Sequence, residues 1–313
     1  MRAAILHEHG AIPEMGDFEE PEGSDGQEVV DVLAASLNPV DIAMASGSFY
    51  GGATPLGSVV GREGVGRRVG GERVYFDTPV APFGSVAERA LVHAEALFPV
   101  PDGVADELAV AFGIAGLAAW LSLEWKAEVR DGDTVLVLGA SGVVGQIAVQ
   151  AAKLLGAGHV VAAARSEEGL TRAGELGADA AVKLDSGEDL TEAFRSAAIG
   201  GLDVIIDPLW GEPAAAAIRA AGSGARLVQI GQSAGADATI PSSAVRGQAI
   251  SILGHSNFRA PVEVRRAAYS RMVRHAEAGE LHVDVETVKL EDAPAAWERQ
   301  RGGPKTKLVV VPG

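Results

Sequence analysis

Gly139, Gly142 and Gly145, in the run GASGVVG, follow the apolar stretch TVLVL and precede QIAVQAAKLLGA. Glycines at this spacing permit a tight turn, close approach of a pyrophosphate and tight packing of the next helix, whose free amides face the anion. The turn sits within a complete strand, turn, helix, strand succession, so it predicts dinucleotide binding rather than a merely structural bend. The following strand decides which dinucleotide. NAD-binding units commonly end it with an acidic residue for the ribose hydroxyls, whereas HVVAAARSEEG ends it with Arg165 and Ser166. Arg165 is placed to pair with a 2′-phosphate, which favours NADPH. The alternative is a solvated arginine opposite Glu167 or Glu168.

Other chemistries are excluded by what the chain lacks or scatters. It contains no cysteine, so disulfides and thiolate metal sites are impossible. The 7 histidines are dispersed and only His7 and His9 stand close together, in an expected surface turn, so no metal site is predicted. A formal net charge of -16, without a basic cluster, argues against nucleic acid as a partner. The start, MRAAILHEHG, lacks the succession of a signal peptide. The uncharged segment from Leu108 to Leu123 is too short and too glycine-interrupted for a membrane span and reads as a buried helix. A cytoplasmic location is the expectation.

The residues named above need a scaffold, and the 313-residue chain is long enough for two domains. Residues 1–101 are rich in Gly and Pro, with short β-type runs such as QEVVDVLAAS, ERVYF and VAERALV, which predict antiparallel strands. From about Asp106 the pattern alternates between apolar runs (TVLVLG, HVVAAA, AAVKL, DVIID, RLVQIG, SILGH) and helical segments (GQIAVQAAKLLG, EPAAAAIRAA). That alternation predicts βαβ units and a parallel sheet. Beyond Pro261 come a charged amphipathic helix, the β-like VETVKL, a short helix at APAAWER and a strand at KLVVVPG. The segment EEPEGSDG reads as a solvated turn.

The segments SLNPVDIAMASG, GREGVG, DGDTVLVLGASGVVGQIAVQAAKLLGA, AGELGAD and KLVVVPG resemble the zinc-free quinone oxidoreductase branch of the medium-chain dehydrogenase/reductase superfamily. The likeness runs through nearly the whole chain and is weakest between Val69 and Pro82. It implies an α/β architecture, a doubly wound Rossmann sheet plus a GroES-like β-rich catalytic domain, with the active site in the cleft between them. The expected division is 1–111 for the catalytic domain, 112–258 for the Rossmann domain and 259–313 for a segment returning to the former. Zinc-dependent relatives carry a Cys and a His where this chain has Asn38 and Arg62. Neither replaces a thiolate or an imidazole.

The resemblance also implies roles. The substrate would be a quinone or an α,β-unsaturated carbonyl compound, which accepts hydride at carbon because the negative charge delocalises onto oxygen. Asn38 and Asp41 would line the cleft near the nicotinamide; read locally, Asn38 suits a turn before proline and Asp41 a cap on the helix at IAMAS. Tyr50 is the candidate hydroxyl donor, although an ungapped match puts the family's tyrosine at Phe49. Cofactor contacts are expected at Gly139, Ser141, Gly142, Val143, Val144, Gly145, Arg165, Ser166, Gly231 and His255. Three departures stand out: Ala118 for a threonine, Gly169 for a lysine and Leu184 for a tyrosine, the last two leaving a 2′-phosphate to Arg165 and Ser166. Pairing through the strand AISILGH would give a homodimer. An enoyl-thioester reductase, and an NADPH-binding sensor or structural protein with little turnover, are the alternative readings.

Overall fold

The computed structural model describes residues 1–313, which form two compact units, Met1–Ala115 with Val262–Gly313, and Gly116–Pro261. The first unit begins with β1 (Arg2–Leu6), β2 (Glu14–Asp17), β3 (Gln27–Ser36), α1 (Pro39–Ala45), β4 (Ser58–Val59), β5 (Glu63–Arg68), β6 (Arg73–Phe76), β7 (Arg89–His93) and β8 (Phe98–Pro99). α2 (Asp106–Ala111) follows, and α3 (Ile114–Leu121) carries the chain from the first unit into the second. The second unit carries β9 (Thr134–Leu138), α4 (Val143–Leu154), β10 (His159–Ala164), α5 (Glu167–Glu175), β11 (Ala180–Lys183), α6 (Leu190–Ala197), β12 (Leu202–Asp207), α7 (Gly211–Ala220), β13 (Ala221–Gln229), α8 (Ser242–Gly247) and β14 (Ser251–Gly254). The chain then completes the first unit with α9 (Val262–Glu277), β15 (Val285–Lys289), α10 (Ala293–Arg301) and β16 (Lys307–Val311).

In the first unit β3 is the axis. It pairs antiparallel with β5 along one edge, and along the other with β7 over its first half and β16 over Ala35 and Ser36. Val30 and Val32 are buried while Asp31 between them is exposed, the period-2 pattern of a half-buried strand. Those side chains join Leu6, Phe76, Trp297, Leu308 and Val310 in one core, so the C-terminal strand is packed into the N-terminal lobe. β2, β1 and β4 make a separate three-stranded sheet.

The second unit is a six-stranded parallel sheet in the order β11-β10-β9-β12-β13-β14. The central β9 is buried at every position, as expected of a strand covered on both faces. The order reverses between β9 and β12, and doubly wound sheets take their ligands outside the strand C-termini at such a switch point. β14 forms one edge and leaves Ile252 40% exposed.

Two local expectations need correction. The helix read across Leu108–Leu123 is broken into α2 and α3 at Phe112 and Gly113, and continues as a π-helical stretch, Ser122–Ala127. A Cβ at Gly113 would overlap the Glu63 carboxylate and the Tyr75 ring, and the break aims the Ile114 amide at Glu63 Oε2. The helix expected to start at IAMAS instead starts at Pro39. Asn38 occupies the N-cap and Asp41 the third helical position, where its Oδ2 accepts the Asn38 amide at 2.7 Å.

Candidate functional site

In the second unit the glycine run turns the chain from β9 into α4. Gly139 adopts a φ of 66°, a left-handed conformation that favours glycine, and it lies against Pro208 and Leu209 of the loop after β12. A Cβ at Gly145 would overlap the backbone of Gly139 and Ala140, so this position seats α4 on the turn. At Gly142, the N-cap of α4, a Cβ would meet only Gly139 O at 3.5 Å, and the space beyond is open. The amides of Val143, Val144 and Gly145 lie in the first helical turn, where no intrahelical acceptor exists. Ser141 supports the turn through its carbonyl, which accepts from Gln146 Nε2 at 3.0 Å. Together they make an anion cradle at the start of a 12-residue helix.

Arg165, at the end of β10, is exposed and makes no hydrogen bond or ion pair within the chain. Glu167 is committed to Lys183 Nζ at 2.5 Å, a second cation on this rim that no motif in the sequence marks. The Ser166 Oγ caps α5 by accepting the Gly169 amide at 3.2 Å and keeps its own proton to donate. Gly169 has a packing reason: a Cβ there would overlap Ser141, so the lysine frequent in relatives has no room.

The other side of the switch point holds buried polar groups. Asp207 ends β12, with Oδ1 accepting the amides of Leu209 at 2.9 Å and Trp210 at 2.8 Å. Its Oδ2 has no partner, and burial pushes the carboxyl up to about 6. Asp207 was not singled out from sequence, although an Asp ending a strand before proline is a turn signal. Gly231 packs on the Pro208 carbonyl and its own carbonyl accepts Gln229 Nε2 at 2.8 Å, which ties the loops after β12 and β13 together. His255 follows β14, with Nε2 3.0 Å from Asn257 Oδ1 and Nδ1 buried without a partner. Burial, with the Lys126 charge nearby, pushes its imidazole down to about 4. The ring is therefore neutral at pH 7, with Nε2 the donor to Asn257 and Nδ1 a spare acceptor. The π-helical stretch sets the Trp125 ring edge-on to it, with centroids 6.0 Å apart.

In the first unit the decisive group is Glu63, completely buried at the start of β5. Oε1 accepts from Ser36 Oγ, from Asn38 Nδ2 at 2.7 Å and from Lys307 Nζ at 3.3 Å. Oε2 accepts from the Tyr75 hydroxyl at 2.9 Å and from the Ile114 amide. Lys307 also donates to Asn38 Oδ1 at 2.5 Å and to the Leu37 carbonyl at 3.3 Å. Asn38 thus has both ends of its amide engaged inside a buried ion-pair network. Glu63 and Lys307 were not anticipated, because their partners lie 12 to 270 residues away in sequence.

Asp41 borders that network and a recess in the same unit, which is also lined by Arg62, Thr54, Ser58, Met44 and Phe83. Only 2% of Asp41 is exposed, and its Oδ1 has no hydrogen-bond partner. Burial first, then the Glu63 charge, push its carboxyl up to about 6 against the Asn38 amide, Lys307 and Arg62. Tyr50 is not brought to this recess. It stands 78% exposed on the loop after α1, its ring 4.5 Å from that of Phe49.

With this geometry in hand, comparison with known proteins decides the family. A family model described as zinc-binding dehydrogenase matches residues 143–276. The quinone oxidoreductase of Thermus thermophilus, whose structures include a complex with NADPH, is 31% identical, with a TM-score of 0.82 over 99% of this chain and 100% of that one. This chain belongs to the quinone oxidoreductase-like branch of the medium-chain dehydrogenase/reductase superfamily. Among curated proteins of this kind, one component of the phenolphthiocerol/phthiocerol polyketide synthase of Mycobacterium tuberculosis is 29% identical over 93% of this chain, which spans 14% of that protein's length. The 2-methylene-furan-3-one reductase of Solanum lycopersicum is 32% identical over 65% of this chain and 55% of its own. The family description names zinc; no group of three or more His, Asp or Glu side chains in this chain is placed to hold a metal ion. No helix is long and apolar enough to cross a membrane.

Proposed function

We propose that this oxidoreductase is an NADPH-dependent reductase of a quinone or an α,β-unsaturated carbonyl compound, working without a metal ion. The observation that carries the cofactor reading is the unpartnered Arg165 beside a glycine cradle at the β9–β12 switch point. A 2′-phosphate would complete that rim through Arg165 and the Ser166 hydroxyl, with Val143, Val144 and Gly145 amides on the pyrophosphate beside Gly139, Ser141 and Gly142. Bound NADPH supplies a hydride. The chain's own part is to hold the nicotinamide, with His255 Nδ1 able to accept from its carboxamide and Gly231 shaping the adjoining loop, and to provide a recess for the acceptor. The relative named for 2-methylene-furan-3-one reduction supports an enone, because that compound carries a carbon–carbon double bond conjugated to a ketone. With Asn38 locked by Glu63 and Lys307, we assign it the role of holding the recess wall, Asp41 the catalytic role, and Tyr50 an auxiliary one open to a shift of its loop.

A second reading, enoyl-thioester reduction, is favoured by the likeness to a stretch of a polyketide synthase. The formal charge of -16, with no basic cluster for a phosphopantetheine arm, counts against it. The proposal includes a homodimer paired along β14 and a cytoplasmic location. The experiment is NADPH oxidation measured with matched quinones, enones and enoyl thioesters. Turnover confined to thioesters would replace the first reading by the second, and NADPH binding with no turnover would leave a sensor or structural protein.

A further inference from the structure

Resting on the reductase reading, we propose that Arg62 and Asp41 are the working pair of the first-unit recess: Arg62 donates to the carbonyl oxygen of the acceptor, and Asp41 delivers the proton that completes its reduction. Two buried carboxyl groups lie near each other here, and their surroundings differ in kind. Glu63 accepts five hydrogen bonds, from Ser36, Asn38, Lys307, Tyr75 and Ile114, which leave no lone pair for a proton. Asp41 accepts one, at Oδ2, and its Oδ1 is buried without a partner. An orphaned buried oxygen costs free energy until something completes it. A proton on Oδ1 does so and turns that atom into a donor in search of an acceptor, which a carbonyl oxygen in the recess would be. Carboxyl pairs driven apart in this way mark which one is the acid.

Arg62 supplies the complementary charge. It lines the same recess and sits close enough for its charge to favour the ionised form of Asp41. Hydride addition to a conjugated carbonyl pushes an electron pair onto oxygen, and a guanidinium aimed at that oxygen stabilises it, the task that zinc performs in metal-dependent relatives. In the balanced step, a hydride from NADPH forms the new C–H bond and the π pair moves to oxygen. The Asp41 O–H bond then breaks and the proton joins that oxygen. NADPH becomes NADP⁺, the acceptor becomes an enol, which in the case of a quinone reaches the hydroquinone once a ring proton shifts from the reduced carbon to the second oxygen, and the Asp41 carboxylate recovers a proton from water. The charged groups that face Asp41 are Glu63, Lys307 and Arg62, and their balance sets when it is protonated.

Asp41→Asn and Arg62→Gln, with Arg62→Lys as the conservative control, test the pair. Circular dichroism and NADPH titration establish that each variant is folded and still binds cofactor through the second unit. With the best quinone or enone, Asp41→Asn should lower kcat by about a hundredfold or more. Wild-type kcat should fall as pH rises through about 6, and the variant should lose both that fall and the solvent isotope effect. Arg62→Gln should weaken equilibrium binding of duroquinone, measured calorimetrically without cofactor, by about tenfold or more, and Arg62→Lys should restore part of it. Folded variants that match wild type in kcat, pH profile and duroquinone binding would overturn the pair while leaving the reductase reading standing. A wild type that oxidises no NADPH would overturn the reading; duroquinone binding lost in Arg62→Gln would then keep the recess as a carbonyl site, and unchanged binding would remove it.

Discussion

Arg165 stands exposed at the end of β10 with no partner, while Glu167, one of the two acidic residues that could have faced it, is held by Lys183. If Arg165 receives the 2′-phosphate, Arg165→Ala removes a charge-assisted hydrogen bond worth roughly 1.5 to 3 kcal/mol, so NADPH affinity should fall about tenfold or more. NADH affinity should hardly change, and fluorescence titration with both cofactors checks this. Equal losses would remove Arg165 as the discriminator. Asp41 gives a residue-scale prediction in pH. Its carboxyl is raised to about 6 from an ordinary 3.8, so the fold favours the neutral form. That contribution is present below the ordinary value and is lost as pH rises through about 6. Asp41→Asn keeps an acceptor for the Asn38 amide and cannot ionise. It should therefore be more stable than wild type at pH 8, by up to about 3 kcal/mol, with the gap narrowing towards about pH 5. Thermal or denaturant unfolding at the two pH values measures it, and a pH-independent difference would contradict the assignment.

At the scale of elements, α4 and its turn can be tested by sterics. Gly142→Val leaves the turn with room for its Cβ but fills the open face of the cradle. Both NADPH and NADH should bind about tenfold or more weakly while the fold persists, as circular dichroism would show. In the first unit, Glu63 and Lys307 tie β5 to β16, both nearly inaccessible to water. Lys307→Met strands the Glu63 charge and should cost about 3 kcal/mol in denaturant unfolding, while the double change with Glu63→Gln should cost less. The parallel sheet was legible because apolar runs, glycine turns and helical segments alternate within short windows. So were β3, β7 and β16, each marked by its own β-type run. The break at Gly113 was not legible, since its cause is the Glu63 carboxylate, whose bond to the Ile114 amide spans 51 residues. The anchoring of Asn38 was equally hidden, because Lys307 comes from the far end of the chain. Local pattern specifies elements, whereas buried polar networks are assembled by the tertiary fold.

For the whole molecule, the proposed pairing along β14 places the half-exposed Ile252 at the interface between two copies of the chain. Ile252→Glu would set like charges against each other there and should halve the particle mass measured by light scattering. A wild type that is already monomeric at micromolar concentration would remove the dimer. The proposed chemistry is hydride transfer to an acceptor that is itself electrophilic, with polarisation left to the protein's own donors. One assay tests that claim most directly: NADPH oxidation by purified, chelator-treated protein with a quinone and an enone, followed by addition of zinc. The account predicts turnover with at least one acceptor, at a rate that chelation and zinc leave unchanged. Activity that disappears with the chelator and returns with zinc would contradict it.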